Sequence, residues 1–189
     1  TLGQGVLILI RNDIQHEFVP INNLLVAEAI AVKIFINGTP IVIVCFYNSP
    51  SKFINVRDLD LLFRLGNQVL VAGDFNSKHP YFCSKNSNRN GNALYRYVST
   101  SQWNILSQYR PTHYPRNPDC TPDVIDYALW KNIQFPLTIT VDDDLFSDHI
   151  PIIITINGDL EVKNTIRYFD YKQADWTSFQ QEVTANLPG

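Results

Sequence analysis

The sequence predicts an α/β fold in four layers: two packed, mainly antiparallel sheets flanked by helices. Three observations lead there. Apolar, β-branched runs recur at residues 6–10, 25–36, 41–47, 68–73, 124–130, 137–141 and 150–156. Several are apolar on both faces, which does not fit a single half-exposed sheet and does fit two stacked ones. Stretches with helical spacing are few, as they should be if helices only cover the sheets.

The elements follow in order. Residues 6–10 read as a short buried strand. Asn37-Gly38 separates the long runs 25–36 and 41–47, and this dipeptide favours a tight hairpin turn. Pro50 ends the second of them. Leu59, Leu61, Leu62 and Leu65 have near-helical spacing within 58–65, and Gly66-Asn67 stops the helix. Residues 68–73 are another buried strand, and 76–90 a long polar loop of the kind that often carries function. Ala93, Leu94, Tyr97 and Val98 form one stripe, so 91–101 is predicted helical. A short strand at 103–106 and a loop at 109–122 precede the last three strands, 124–130, 137–141 and 150–156. After Asn157-Gly158 the composition turns polar, and Asp175 can cap a final helix running to about Val183.

A chain of 189 residues that is 45% hydrophobic can bury a real core as one domain, or one domain and a tail. Its net charge of -3 argues against a generally basic nucleic-acid binder. Residues 78–118 are an exception: Lys78, Lys85, Arg89, Arg96, Arg110 and Arg116 lie there with no Asp or Glu, interleaved with Tyr81, Phe82, Tyr95, Tyr97, Trp103, Tyr109 and Tyr114. Cations suit phosphates and aromatic faces suit bases or sugars. The plainer reading is a solvated loop region whose aromatics sit in the core. Cys45, Cys83 and Cys120 are too few and too scattered for a disulfide framework, which suggests a reducing compartment. A zinc site of His79, Cys83, His113 and Cys120 fits usual ligand spacings poorly. There is no signal peptide and no apolar run long enough to span a membrane. The chain lacks Met and opens abruptly at Thr1, so it reads as an internal piece of a longer protein.

The residues fit for chemistry cluster in a few phrases. Asp74 and Asn76 follow an apolar run and face one side if the strand continues; a carboxylate and an amide there can polarise water and hold a phosphate oxygen. The plain alternative is an Asx-turn after a strand. Asp148-His149 can bind a metal or act on a phosphoryl oxygen, with Ser147 placed to orient either; alternatively this is a capped surface loop. Asp126 lies inside an apolar run, where a carboxylate is costly unless paired. Pairing with His149 would fix the imidazole tautomer and its charge. Tyr47 and Thr112 are weak signals on their own. Asp142-Asp143-Asp144 looks like another metal site and reads better as a solvated loop.

Taken in order, Cys45-Phe46-Tyr47-Asn48-Ser49-Pro50, Gly73-Asp74-Phe75-Asn76-Ser77-Lys78-His79-Pro80, Arg110-Pro111-Thr112-His113-Tyr114-Pro115, Pro122-Asp123-Val124-Ile125-Asp126 and Ser147-Asp148-His149 resemble the endonuclease/exonuclease/phosphatase (DNase I-like) superfamily. The nearer resemblance is to the endonuclease domain of jockey-like non-LTR retrotransposons, and it covers nearly the whole chain. The opening from Gly3 to Arg11 is typical of that group, and Asp175-Trp176-Thr177-Ser178-Phe179 looks like the segment leading to a reverse transcriptase.

The resemblance implies a nuclease domain over 1–158 and, over 159–189, a polar linker and helix. It implies that Asp74 orients or deprotonates the attacking water, Asn76 stabilises phosphorane charge, Tyr47 contacts the scissile phosphate, Asp148 holds metal, and His149 paired with Asp126 stabilises the transition state. Thr112, Ser147, Lys78, Arg89 and Arg110 would meet the substrate. Mg²⁺ is the implied cofactor, with Mn²⁺ as a substitute. Double-stranded DNA is the implied substrate, and element RNA a partner through an adjoining reverse transcriptase. The nick would leave a 3′-hydroxyl primer, and the location would be nuclear. The family pattern begins with an Asn-bearing strand and a strand ending in Gln-Glu, and neither precedes Thr1. Glu17, Glu28, Glu161 and Glu182 do not stand in a matching context. The first strands are therefore expected to be missing, roughly fifty to seventy residues, within ordinary domain size. The expectation is weak Mg²⁺ binding and poor nicking by this chain alone. Two further readings remain: a phosphatase or lipid phosphodiesterase of the same superfamily, and a non-catalytic nucleic-acid-binding relic.

Overall fold

The computed structural model describes residues 5–117, 119–142, 147–163 and 172–186. The elements run β1 (His16–Val19), β2 (Glu28–Ile36), β3 (Thr39–Tyr47), α1 (Val56–Phe63), β4 (Val69–Asp74), α2 (Arg89–Thr100), β5 (Asn104–Leu106), β6 (Asp126–Lys131), β7 (Leu137–Val141), β8 (Ile152–Ile156) and α3 (Trp176–Asn186). Six strands form one sheet in the order β1-β2-β3-β4-β6-β5, and β7-β8 form a second. Only the β3–β4 pair is parallel. The mainly antiparallel α/β sandwich predicted above is the fold.

Each predicted element has a local cause. Asn37 and Gly38 both take positive φ, 48° and 73°, the backbone a two-residue hairpin needs, and β2 pairs with β3 in full register across them. Helix α1 is capped by the Asn55 side chain and α2 by that of Asn88. The last helix is likewise capped by Asp175, whose carboxylate accepts from the Thr177 and Ser178 amides; α3 buries none of its residues.

The large sheet has two unlike faces. On one, Val42, Val44, Phe46, Val69, Val71, Tyr127 and Leu129 pack with Leu59, Leu62 and Phe63 of α1 and Leu94 and Val98 of α2. On the other, Ile41, Leu70 and Ala128 pack with Ile43, Ala72 and Trp130 and with Leu137, Ile154 and Ile156 of the small sheet. The alternation of these two sets is the period-two signature of strands covered on both faces.

Three boundaries depart from expectation for a physical reason. Strand β2 begins at Glu28 rather than residue 25, because the amides of Leu25, Val26 and Ala27 donate instead to the buried carboxylate of Asp58. Strand β6 begins at Asp126 because Val124 N–H is taken by Asp123 and Ile125 N–H by Thr112. Residues 6–10 are not a strand: extended alternation persists, but no described neighbour pairs with them, and Leu7 and Leu9 are 70% and 86% exposed. Strand β1, whose His-Glu-Phe-Val sequence carries little apolar periodicity, is held by its ladder with β2. The loop 76–90 contains a 3₁₀ turn at Pro80–Phe82 and ends inside α2. Beyond Gly158, Leu160 and Val162 bridge to Ile36 and Ile14. Asp143 and Asp144 and the opening phrase from Thr1 to Gln4 lie outside the described residues.

Candidate active site

Register assembles the site. Glu28 lies opposite Tyr47, Tyr47 beside Asp74, and Asp74 opposite Asp126, so one row crosses β2, β3, β4 and β6. Directly paired residues project to the same face, and here that is the face carrying Cys45, Ala72 and Ala128 two residues along each strand. The row closes the end of the face covered by the small sheet.

Gly73 makes this close approach possible. Its φ is 147°, and a Cβ there would lie 1.9 Å from the Phe46 carbonyl oxygen. After Asp74 the strand does not continue. Phe75 N–H is bonded to Ile125 O and Asn76 turns into the left-handed region at φ 46°. Asn76 then folds back on Asp74: its backbone N–H donates to Oδ1 at 2.8 Å and its side-chain amide to Oδ2 at 2.6 Å. The same amide donates to Asn48 O at 3.1 Å. Both amide protons are thus engaged, and Asn76 holds Asp74 in place rather than presenting a free donor. The expected side-by-side display gives way to an Asx-turn, which here is itself the support of the carboxylate.

His149 comes from the loop before β8 and meets Asp126 as expected, Nδ1 to Oδ2 at 3.0 Å. Asp74, Asp126 and His149 offer ligand atoms that all lie within 4.8 Å of one another. Among the described residues this is the one group of three or more His, Cys or acidic side chains so disposed. Burial, and then the charge of Asp126, push the Asp74 carboxyl up to about 7, against the opposing pull of Asn76 and His149. The hydrogen bond to Asp126 raises His149 above its ordinary 6.5 although burial opposes it. A carboxyl shifted toward neutrality beside an imidazole whose charged form is favoured is a usable acid–base pair.

The other predicted residues divide. Tyr47 belongs to the row. Ser147 lies beside the site, its Oγ accepting from His149 N–H at 3.2 Å. Thr112 is 0% exposed, so it does not meet a substrate: its Oγ1 accepts from the amides of Ile125 and Asp126 at 3.1 and 3.0 Å, and its carbonyl from Ile150. It knots β6 to the segment bearing His149. Asp148 does not join the metal-ligating group. It lies within 3.8 Å of Arg116 Nε; desolvation, the largest single influence, raises its carboxyl, but its own N–H, Arg116, His149 and His113 together outweigh that and hold it low. Lys78 pairs with the buried Asp123 at 3.6 Å. Arg89 lies over the Phe53 ring at 4.4 Å, and Arg110 is exposed. No zinc site forms among the described residues: His79 stacks on Tyr95 at 4.3 Å, and all three cysteines are free.

Four site residues escape sequence reasoning. His113 lies 4.6 Å from the His149 ring, and burial and that neighbour lower its pKa. Asn48 is fully buried and, through its carbonyl, receives Asn76. Asn88 donates to Asn76 O at 3.0 Å while capping α2. Glu28 enters only through register. His113 and Asn48 sat inside phrases already singled out; Asn88 and Glu28 had no such signal.

Residues 41–153 match the family described as Endonuclease-reverse transcriptase. The chain is 34% identical over 139 residues to the probable RNA-directed DNA polymerase from transposon BS of Drosophila melanogaster, covering 72% of this chain and 15% of that protein. It is 30% identical over 188 residues to the corresponding protein of transposon X-element from the same organism, covering 97% and 20%. The chain thus spans a fifth or less of the length of these relatives. Among solved structures, the endonuclease domain of TRAS1, a telomere-specific non-LTR retrotransposon, matches with TM-score 0.61 and 22% identity over 68% of this chain and 63% of that one. The catalytic domain of Xenopus laevis APE2 matches with TM-score 0.51 and 14% identity over 71% and 57%. At such identities the structural likeness concerns the fold.

Proposed function

Because the chain belongs to the Endonuclease-reverse transcriptase family of the endonuclease/exonuclease/phosphatase superfamily, we propose that it nicks DNA for a non-LTR retrotransposon. The observation that carries this reading is the Asp74–Asp126–His149 group at the sheet edge. Asp74, poised near neutrality, takes a proton from the attacking water. Asn76 is a positioning residue that fixes both Asp74 oxygens. His149, kept charged by Asp126, faces the negative oxygen of the five-coordinate phosphorus. Tyr47, in the same row, contacts the scissile phosphate. Asp126, and after it Asp74 and Asp148, add the negative field that favours the charged form of His149. Ser147, Lys78, Arg89 and Arg110 are the substrate-side groups.

Two close carboxylates and an imidazole fit a divalent cation. Asp74 and Asp126 would hold Mg²⁺, or Mn²⁺ in its place. When bound, the ion would neutralise phosphate charge and help the 3′ oxygen leave. The water oxygen bonds to phosphorus, the P–O3′ bond breaks, and the released O3′ takes a proton. The resulting 3′-hydroxyl would prime reverse transcription of element RNA, which places the work in the nucleus. Among the described residues no helix is long and apolar enough to cross a membrane.

The test is conversion of supercoiled plasmid to open circle, by the 189-residue chain and by any longer reading frame that encodes it. The expected result is poor nicking by the 189-residue chain alone and, from the longer frame, Mg²⁺-dependent nicking with polymerase-extendable ends, abolished by Asp74→Ala. Hydrolysis of an inositol polyphosphate with no action on DNA would refute the reading and favour a phosphatase.

A further inference from the structure

Two clefts lie side by side around the N-terminus of α2, away from the carboxylate row. One, of about 260 Å³, is walled by Lys52, Phe53 and Arg89. The other, of about 580 Å³, is walled by Phe53, Arg89 and Arg96. Phe53 is 47% exposed and lines both, with the Arg89 guanidinium over its ring. No described acid lines either cleft. Lys52, Arg89 and Arg96 form no ion pair with a described acid, whereas Lys78 and Arg116 are matched to Asp123 and Asp148. Three unmatched cations around one exposed aromatic ring are unfavourable company for each other and favourable company for a polyanion carrying flat rings.

The clefts are fixed relative to the candidate active site. The Asn90 side chain, almost fully buried, ties the walls together: Oδ1 accepts from Ile54 N–H at 3.0 Å and Nδ2 donates to Lys52 O at 2.9 Å. One wall follows Asn48 and the other follows Asn88, and both of these residues are bonded to Asn76. Gly91 locks the arrangement, since a Cβ there would lie 1.8 Å from Lys78 O. A strand held in the clefts is therefore held at a set offset from Asp74.

We infer that the paired clefts are a subsite for the nucleic-acid strand flanking the scissile bond, in which phosphates meet Lys52, Arg89 and Arg96 and one base stacks on Phe53. This rests on the proposed nuclease function and adds Lys52, Phe53 and Arg96 to Arg89 as residues that set where along the strand the cut falls. Stacking makes the subsite tolerant of base identity. Its polar, open walls suit a strand passing over them better than a small enclosed ligand.

The experiment measures fluorescence anisotropy of the 189-residue chain with a labelled 20-base-pair duplex that carries a single-stranded overhang, in EDTA and across salt concentrations. Phe53→Ala is expected to weaken binding roughly tenfold, in the range found for one base stacked on an aromatic ring. Arg89→Gln and Arg96→Gln should each weaken it and lower the salt slope by about one. Arg89→Lys should restore the slope and only part of the affinity, because lysine keeps the charge and loses the flat face. Circular dichroism confirms folding, which substitution at these exposed positions should preserve. Wild-type affinity in Phe53→Ala and both Gln variants would overturn the subsite and leave the nuclease reading standing. Absence of DNA binding by the wild type would overturn both.

Discussion

Asp126→Asn removes one negative charge from the sheet edge while leaving an oxygen to accept from His149 Nδ1. Charge and geometry are thereby separated. In the wild type, Asp74 and Asp126 place ligand oxygens within 4.8 Å of each other. At an effective dielectric constant of about 20, two such charges repel by about 3.5 kcal/mol, or about 2.5 pKa units. Burial is the larger cause of the raised Asp74 carboxyl and it stays in the variant. Asp74 should therefore fall from about 7 by roughly one to two units rather than return to 3.8. His149 should fall as well, since Asp126 is the chief cause of its elevation and burial alone would lower it. Carbon-detected titration of the carboxyls and nitrogen-15 titration of the imidazoles, both in EDTA, read the two groups directly. Nicking at neutral pH should drop by roughly two to three orders of magnitude, the usual penalty for losing a charged donor at a developing oxyanion. An unchanged His149 titration in the variant would refute the pairing as the source of its charge, and an unchanged Asp74 would refute the carboxylate coupling.

Three further outcomes are expected. Asp58 is 0% exposed and accepts three backbone amides at 2.8 to 2.9 Å, so Asp58→Ala should destabilise the fold by about 3–5 kcal/mol, and urea denaturation should show the lowered midpoint. The raised Asp74 carboxyl favours folding while it is protonated, so in EDTA its contribution is complete below pH 3.8 and is lost as pH rises to about 7. The melting temperature of wild type minus that of Asp74→Asn should fall across that window; a flat difference would contradict the shift. Gly91→Ala places a methyl 1.8 Å from Lys78 O and should destabilise by about 1–3 kcal/mol and impair nicking, whereas Gly5→Ala, with nothing within 4 Å, should be silent in thermal melts and plasmid assays alike.

The parts of the site were legible because each carries a local chemical oddity. Asp126 is an acid inside an apolar run, Asp74-Phe75-Asn76 a polar break after a buried strand, and Asp148-His149 a charged pair before one. Their assembly was not legible in the same way. The hairpin at Asn37-Gly38 fixes β2 against β3, which is why that pairing could be read. The β4–β6 register, by contrast, joins residues separated by a long loop, a helix and a strand, and a one-residue slip would send Asp126 to the opposite face from Asp74. What prevents the slip is tertiary: Phe75 N–H on Ile125 O, the Thr112 hydroxyl on two β6 amides, and Tyr127 buried with its hydroxyl on Ser77 O.

The same distinction explains the misreadings. Thr112 was legible as a polar residue in a loop, but its role is fixed by partners 13 and 14 residues away, which consume its hydroxyl and bury it. Residues 6–10 have a strand's composition and lack a strand's partner, and composition cannot supply one. Asp148 read as the metal residue and Asp126 as the partner of His149; the sheet brought Asp126 opposite Asp74 as well and left Asp148 to Arg116. In each case residue type set the chemistry available, and long-range pairing decided whether it was spent on the fold or left for a substrate.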